Sequence, residues 1–155
     1  MSLVGTMVAV TILLIALIGT STFRYAAALD GRKADAHTTA ARVALTLAES
    51  WRGVKGDTTH DPTTQLGSDL EVAVGEGPVK PEDFTLLGSY TIQFNDGAGV
   101  NDYAATLSWK DIQPGLRTLN VVVVWASREL GGLTKQDISD IADKSFELTV
   151  YTQTN

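Results

Sequence analysis

Apolar residues are segregated along this chain rather than spread through it. Met1 to Phe23 contain no charged side chain, and the run SLVGTMVAVTILLIALIGTSTF is about as long as a helix must be to cross a hydrocarbon core at ~1.5 Å per residue. Because it is apolar all round, it needs lipid or protein on every side. A helix-forming pattern continues through RYAAALDGRKADAHTTAARVALTLAESWRG, which is rich in Ala, Leu and Arg and contains no Pro. Within it Ala36, Ala40, Val43, Leu47 and Trp51 recur at helical spacing and make one apolar stripe, while Arg32, Lys33, Asp35, Arg42 and Glu49 fall mostly on other faces. The pattern predicts one helix of about fifty residues, apolar over 1–23 and amphipathic over 24–52. Asp30-Gly31 is its weak point and Gly53 suits its C-cap.

Beyond the helix the period changes. Residues 54–87 are rich in Gly, Thr, Asp and Pro and read as a long connection, with a short strand at Leu70–Val74 and a helical turn opening at Pro81-Glu-Asp-Phe. Tyr90, Ile92 and Phe94 alternate with polar neighbours, as do Tyr103, Ala105, Leu107 and Trp109 after the turn cluster Asn95–Asp102. After Gln113-Pro-Gly, Leu116–Ala126 contains VVVVWA, apolar at successive positions as a strand covered on both faces requires. Phe146, Leu148 and Val150 alternate in a last strand, and Arg128–Lys144 leaves room for a short helix over Lys135–Asp143, with Thr134 and Asp137 placed as a capping box. The expected fold class is α+β: a long N-terminal helix, its apolar half protruding, packed through the stripe on a mainly antiparallel four-stranded sheet. Residues 53–155 form the β-rich head.

Charge is segregated as well. Through Gly53 there are five basic and three acidic residues, a balance of +2; beyond it seven basic and fifteen acidic residues give −8. An acidic head repels phosphate backbones, so no nucleic-acid partner is expected. The chain has no cysteine, which excludes disulfides, thiolate metal sites and cysteine nucleophiles together.

The opening Met1-Ser-Leu-Val-Gly-Thr-Met-Val-Ala-Val-Thr-Ile-Leu-Leu-Ile-Ala-Leu-Ile-Gly19 resembles the mature N-terminus of type IV pilins and type II secretion pseudopilins. It is most similar to minor pilins that open Ser-Leu-Val before an Ala/Ile/Leu-rich run. The pairing of TLSWKD with RTLNVVVVWA resembles the C-terminal sheet of the same proteins. The resemblance implies a pilin-like fold, a structural filament subunit with copies of itself or other pilins as partners, and residence in the inner membrane before assembly into an extracellular or periplasmic filament. It also implies cleavage by a prepilin peptidase after a short basic leader ending in glycine, N-methylation of Met1, and assembly on a membrane platform driven by a motor ATPase. One departure stands out: the family places a glutamate where this chain has Gly5. The assembly residues to watch are therefore Met1, Gly5, Thr6, whose hydroxyl can help neutralise a neighbouring ammonium, and Gly19, which allows close helix packing. The other reading is a monomeric single-pass anchored accessory or sensor module.

Candidate chemistry is sparse. No Gly-x-Ser-x-Gly, Walker A, HExxH or GxGxxG pattern occurs, so no catalytic residue and no organic cofactor is expected. His60 between Asp57 and Asp61 offers metal donors, although an exposed polar loop uses the same residues. Asp96, Asn101 and Asp102, hard oxygen donors separated by glycines, fit a calcium loop; they are also ordinary hairpin residues.

Overall fold

The computed structural model describes residues 3–66, 71–95, 100–125 and 144–154, with side chains excepted at 94–95 and 100–102. Helix α1 runs over Leu3–Gly53, passing Asp30-Gly31 without a break in its assignment. One interior glycine costs a helix only about 1 kcal/mol, which the flanking good helix formers absorb. The chain falls into two compact units, Met1–Ala36 and His37–Asn155. The described part of the first is helix alone.

The helix ends later than Gly53 suggested. The amide of Lys55 donates to the carbonyl of Arg52 at 2.9 Å and that of Gly56 to Trp51 at 3.1 Å. This 5→2 and 6→1 pair is a Schellman ending, and it places Lys55, at φ 55°, on the left-handed residue usually given to glycine. Gly56 follows at φ 75°, and a Cβ there would lie 2.7 Å from Thr152 Cγ2. Gly53 is thus an ordinary last-turn residue, and Gly56 is the glycine the turn requires.

In the second unit the described elements after the helix are α2 (Pro62–Gln65), β1 (Glu71–Val74), β2 (Thr85–Asn95), β3 (Val100–Gln113), β4 (Leu116–Trp125) and β5 (Ser145–Gln153). The strands form one sheet in the order β1-β2-β3-β4-β5, every neighbouring pair antiparallel. The sheet has five strands, not four: the short segment at Glu71–Val74 joins it by pairing with Tyr90–Gln93. Helix α2 was not expected either. Its local logic is plain, since Asp61 caps it by accepting from the Thr63 amide at 3.0 Å and Pro62 occupies the first turn, where a missing N–H costs nothing. The Pro81–Phe84 segment is a single turn closed by the Phe84 amide on the Pro81 carbonyl.

Strand β2 starts at Thr85, inside the segment read as connection, because the register with β3 slips between Leu86 and Gly88. That bulge leaves Leu87 unpaired and breaks the alternation. The β2–β3 turn is also tighter than Asn95–Asp102, since Asn95 pairs with Val100. Between β3 and β4, Gln113 pairs with Leu116 and Pro114-Gly115 makes the turn, with Gly115 at φ 81° as the third position of a type II turn requires. The helix expected over Lys135–Asp143 lies outside the described residues.

The core forms between the second part of α1 and one sheet face. Ala40, Val43, Ala44, Leu47, Ala48 and Trp51 are buried there with Tyr90, Ile92, Tyr103, Ala105, Leu107, Leu119, Val121 and Val123, and Trp109, Phe146, Leu148 and Val150 pack around them. The parity follows the register: Leu107 sits opposite Val121, and Val121 opposite Leu148. The other face is buried at its centre but polar, with Thr106, Ser108, Thr118 and Asn120 each at most 2% exposed. Thr106 Oγ1 donates to the Pro78 carbonyl at 2.7 Å, so the segment between β1 and β2 covers part of this face.

Candidate assembly surface

The first unit carries the largest unpartnered surface among the described residues. Twelve large apolar side chains from Leu3 to Phe23 are each 53–78% exposed. At about 1.5–3 kcal/mol for full burial of such a side chain, leaving this surface in water forgoes on the order of 10–20 kcal/mol. By length and composition α1 can cross a membrane.

The threonine hydroxyls within this stretch are already satisfied. Thr6 donates its hydroxyl to Leu3 O at 2.8 Å, Thr11 to Met7 O at 2.9 Å and Thr22 to Ile18 O at 2.9 Å. Thr20 shares its hydroxyl between Ala16 O and Leu17 O, both at 3.0 Å. Every threonine before Phe23 therefore returns its proton to its own helix, and the segment can lose its water without stranding a threonine donor. Hydropathy pattern alone did not show this, although threonine in an apolar helix is the signal for it. Thr6 keeps its oxygen lone pairs, so it can still accept from a cation. A Cβ added at Gly5 or at Gly19 meets nothing within 4 Å, so the chain itself gives no packing reason for either glycine. Met1 lies outside the described residues.

The stripe from the second part of the helix is placed differently from the tail. Ala40, Val43, Leu47 and Trp51 are at most 1% exposed, and Ala36 is half-buried. Two contacts pin this end of the helix that the sequence did not advertise. Trp51 Nε1 donates to Asp57 O at 3.1 Å, and Arg117 Nη1 to Gly56 O at 2.7 Å. Arg117 also pairs with Asp111 through both oxygens, at 2.7 and 3.3 Å, and lies 4.3 Å over the Trp109 ring. Its guanidinium holds the Asp111 carboxyl below the usual carboxylate range. At the other end of the packed stretch, the His37 ring meets Trp125 and Phe146 edge-on at 5.9 and 5.4 Å.

The two cation candidates fare unequally. His60 is not on an exposed loop: it is 6% exposed, with Nε2 3.2 Å from Ser50 Oγ on the helix and Nδ1 buried without a hydrogen-bond partner. Burial lowers its pKa, and Asp61 and Asp57 pull it only partly back. Asp57 is engaged by the Thr59 amide and hydroxyl, which hold its carboxyl low, and Asp61 is engaged by α2. The trio is a structural knot between loop and helix. Among the described residues no group of three or more His, Cys, Asp or Glu could hold a metal ion. Of the calcium-loop residues, Asn101 and Asp102 belong to β3, paired with Phe94 and Gln93, while Asp96 lies outside the described residues.

No family model, no curated protein and no solved structure matches this chain.

Proposed function

We propose that the chain is a structural subunit of a type IV pilus-like or pseudopilus filament, held in the inner membrane by its apolar N-terminal helix before assembly and polymerising through it with copies of itself or other pilins. The observation that carries the reading is the division of labour along α1. Residues 3–23 present apolar surface all round with their threonine hydroxyls satisfied internally, and residues 40–51 of the same helix form part of the head's core. A plain anchor needs no such continuity, because a flexible linker would serve it. The resemblance of Met1–Gly19 to pilin N-termini adds the processing steps: a prepilin peptidase, N-methylation of Met1 and an assembly platform.

The anchored-monomer reading is favoured by one residue. In the family the glutamate at the fifth position is thought to neutralise a neighbour's N-terminal ammonium, and Gly5 cannot. Immunogold microscopy of sheared surface or periplasmic material, with an epitope on the head, separates the two. Fibres carrying the label are expected; label confined to membrane while the head is folded would leave the anchored monomer standing.

A further inference from the structure

The two edges of the sheet are built differently. Strand β1 is four residues long and carries Glu71, whereas β5 is nine residues, SFELTVYTQ, with no proline or lysine and a single charge. Its pairing with β4 runs from Ser145 to Gln153 with no register shift, unlike the β2–β3 and β3–β4 pairings. Short length, charge, proline and bulges are the usual devices that stop an edge from recruiting another strand, and β5 has almost none of them. Among the described residues the edge is accessible. Phe146, Leu148, Val150 and Thr152 face the core side yet stay only half-buried, and Glu147, Thr149, Tyr151 and Gln153 are exposed. Among the described residues no strand pairs with its outer side.

We propose that β5 is a pairing edge for the β5 strand of a second copy of this chain, antiparallel about a two-fold axis at Thr149. Only that register overlaps all nine residues. It sets Leu148 opposite Val150 of the second copy, continuing the apolar core side across the junction. It also sets Glu147 opposite Tyr151 of the second copy, so the two carboxylates are kept apart; a register centred two residues earlier would oppose them directly, which is destabilising. The heads are acidic, and β5, with one charge in nine residues, lets them meet without further like-charge opposition along the strand. Main-chain hydrogen bonds supply the attraction, as in strand addition generally. Such an edge contact is smaller than a standard interface, so it acts where copies are concentrated, in the plane of a membrane. A two-fold contact closes on itself and does not propagate. It therefore describes a membrane-stage dimer and stands apart from the filament reading.

The chain has no cysteine, so single substitutions report cleanly. Thr149→Cys in the full chain, in native membranes under mild oxidation, is expected to give a disulfide-linked dimer. Gln153→Cys is expected to give none, because the two copies of that position would lie about 25 Å apart along paired strands at ~3.3 Å per residue. Since Asn120 donates to both Glu147 and Thr149, the combination Ser145→Cys with Gln153→Cys, positions that lie opposite each other in the same register, repeats the test with both acceptors intact. No dimer from either Thr149→Cys or the combination, or equal dimer from Thr149→Cys and Gln153→Cys as helix-driven crowding would give, overturns the proposal.

Discussion

Leu45 and Leu47 stand two residues apart on the same helix and make a controlled pair. Leu47 is 1% exposed in the core; Leu45 is 52% exposed. Leu→Ala changes helix propensity equally at both sites, so that contribution cancels in the comparison. What remains is burial. Removing the isobutyl group from Leu47 loses its transfer free energy and leaves a cavity among large neighbours, which costs about 3 kcal/mol within a usual range of roughly 2–5. The exposed site should cost no more than about 0.5 kcal/mol. For a unit the size of this head, that predicts a melting decrease of roughly 10 °C or more for Leu47→Ala and one of about 2 °C or less for Leu45→Ala. The assay is tryptophan fluorescence on the full chain in mild detergent. All three tryptophans, Trp51, Trp109 and Trp125, lie beyond residue 36, so the signal reports the head and not the tail. Equal shifts for the two variants would refute the docking of this stripe on the sheet.

Lys55→Gly should raise the head's stability by about 1 kcal/mol by relieving a left-handed lysine, whereas Gly56→Ala should lower it, since Cβ would strike Thr152; opposite melting shifts check this. His60 has a folded pKa below its unfolded value of about 6.5, so the unfolded chain takes up the proton first as the pH falls. Head stability should decline below that pH and level off once the folded pKa is passed, and His60→Gln should flatten the slope in urea titrations at pH 5 to 8; an unchanged slope would place the titrating group elsewhere. Gly5→Glu meets no obstacle within its own chain, and on the proposed filament reading it supplies a partner for a neighbour's N-terminal ammonium, so filament yield should hold or rise. Loss of incorporation while the protein still reaches the membrane would mean that Gly5 serves close helix contact instead.

Much of the fold was legible because each long element carried its own period. The stripe through Ala40, Val43, Leu47 and Trp51, the alternation in β3 and β5 and the continuous apolar run in β4 each need only local spacing to be read. What was missed lies where the period is interrupted. The bulge at Leu87 shifts parity between Leu87 and Tyr90, which hid the start of β2. β1 has only four residues, too few to show that it would find a partner in Tyr90–Gln93. The helix ending was misassigned for another reason: glycine is the ordinary left-handed residue, yet here lysine holds that position and the glycine follows it.

The candidate surfaces divide along the same line. An apolar tail declares itself, since a surface of that size has no tolerable place in water. The contacts that hold the head do not. His60 meets Ser50 across ten residues and Arg117 meets Gly56 across sixty-one, and each side chain reads in isolation as an ordinary polar surface group. Burial changes their chemistry: it lowers the pKa of His60, and at Arg117 it turns a surface charge into a clamp between helix end and sheet. In the sequence, then, His60 between two aspartates looked like a metal site because proximity along the chain was the only geometry available. In the fold each carboxylate faces a backbone amide, Thr59 for Asp57 and Thr63 for Asp61, and the imidazole turns toward the helix. Donors drawn to separate partners cannot converge on one ion, and the same residues instead fasten the first connection of the head to α1.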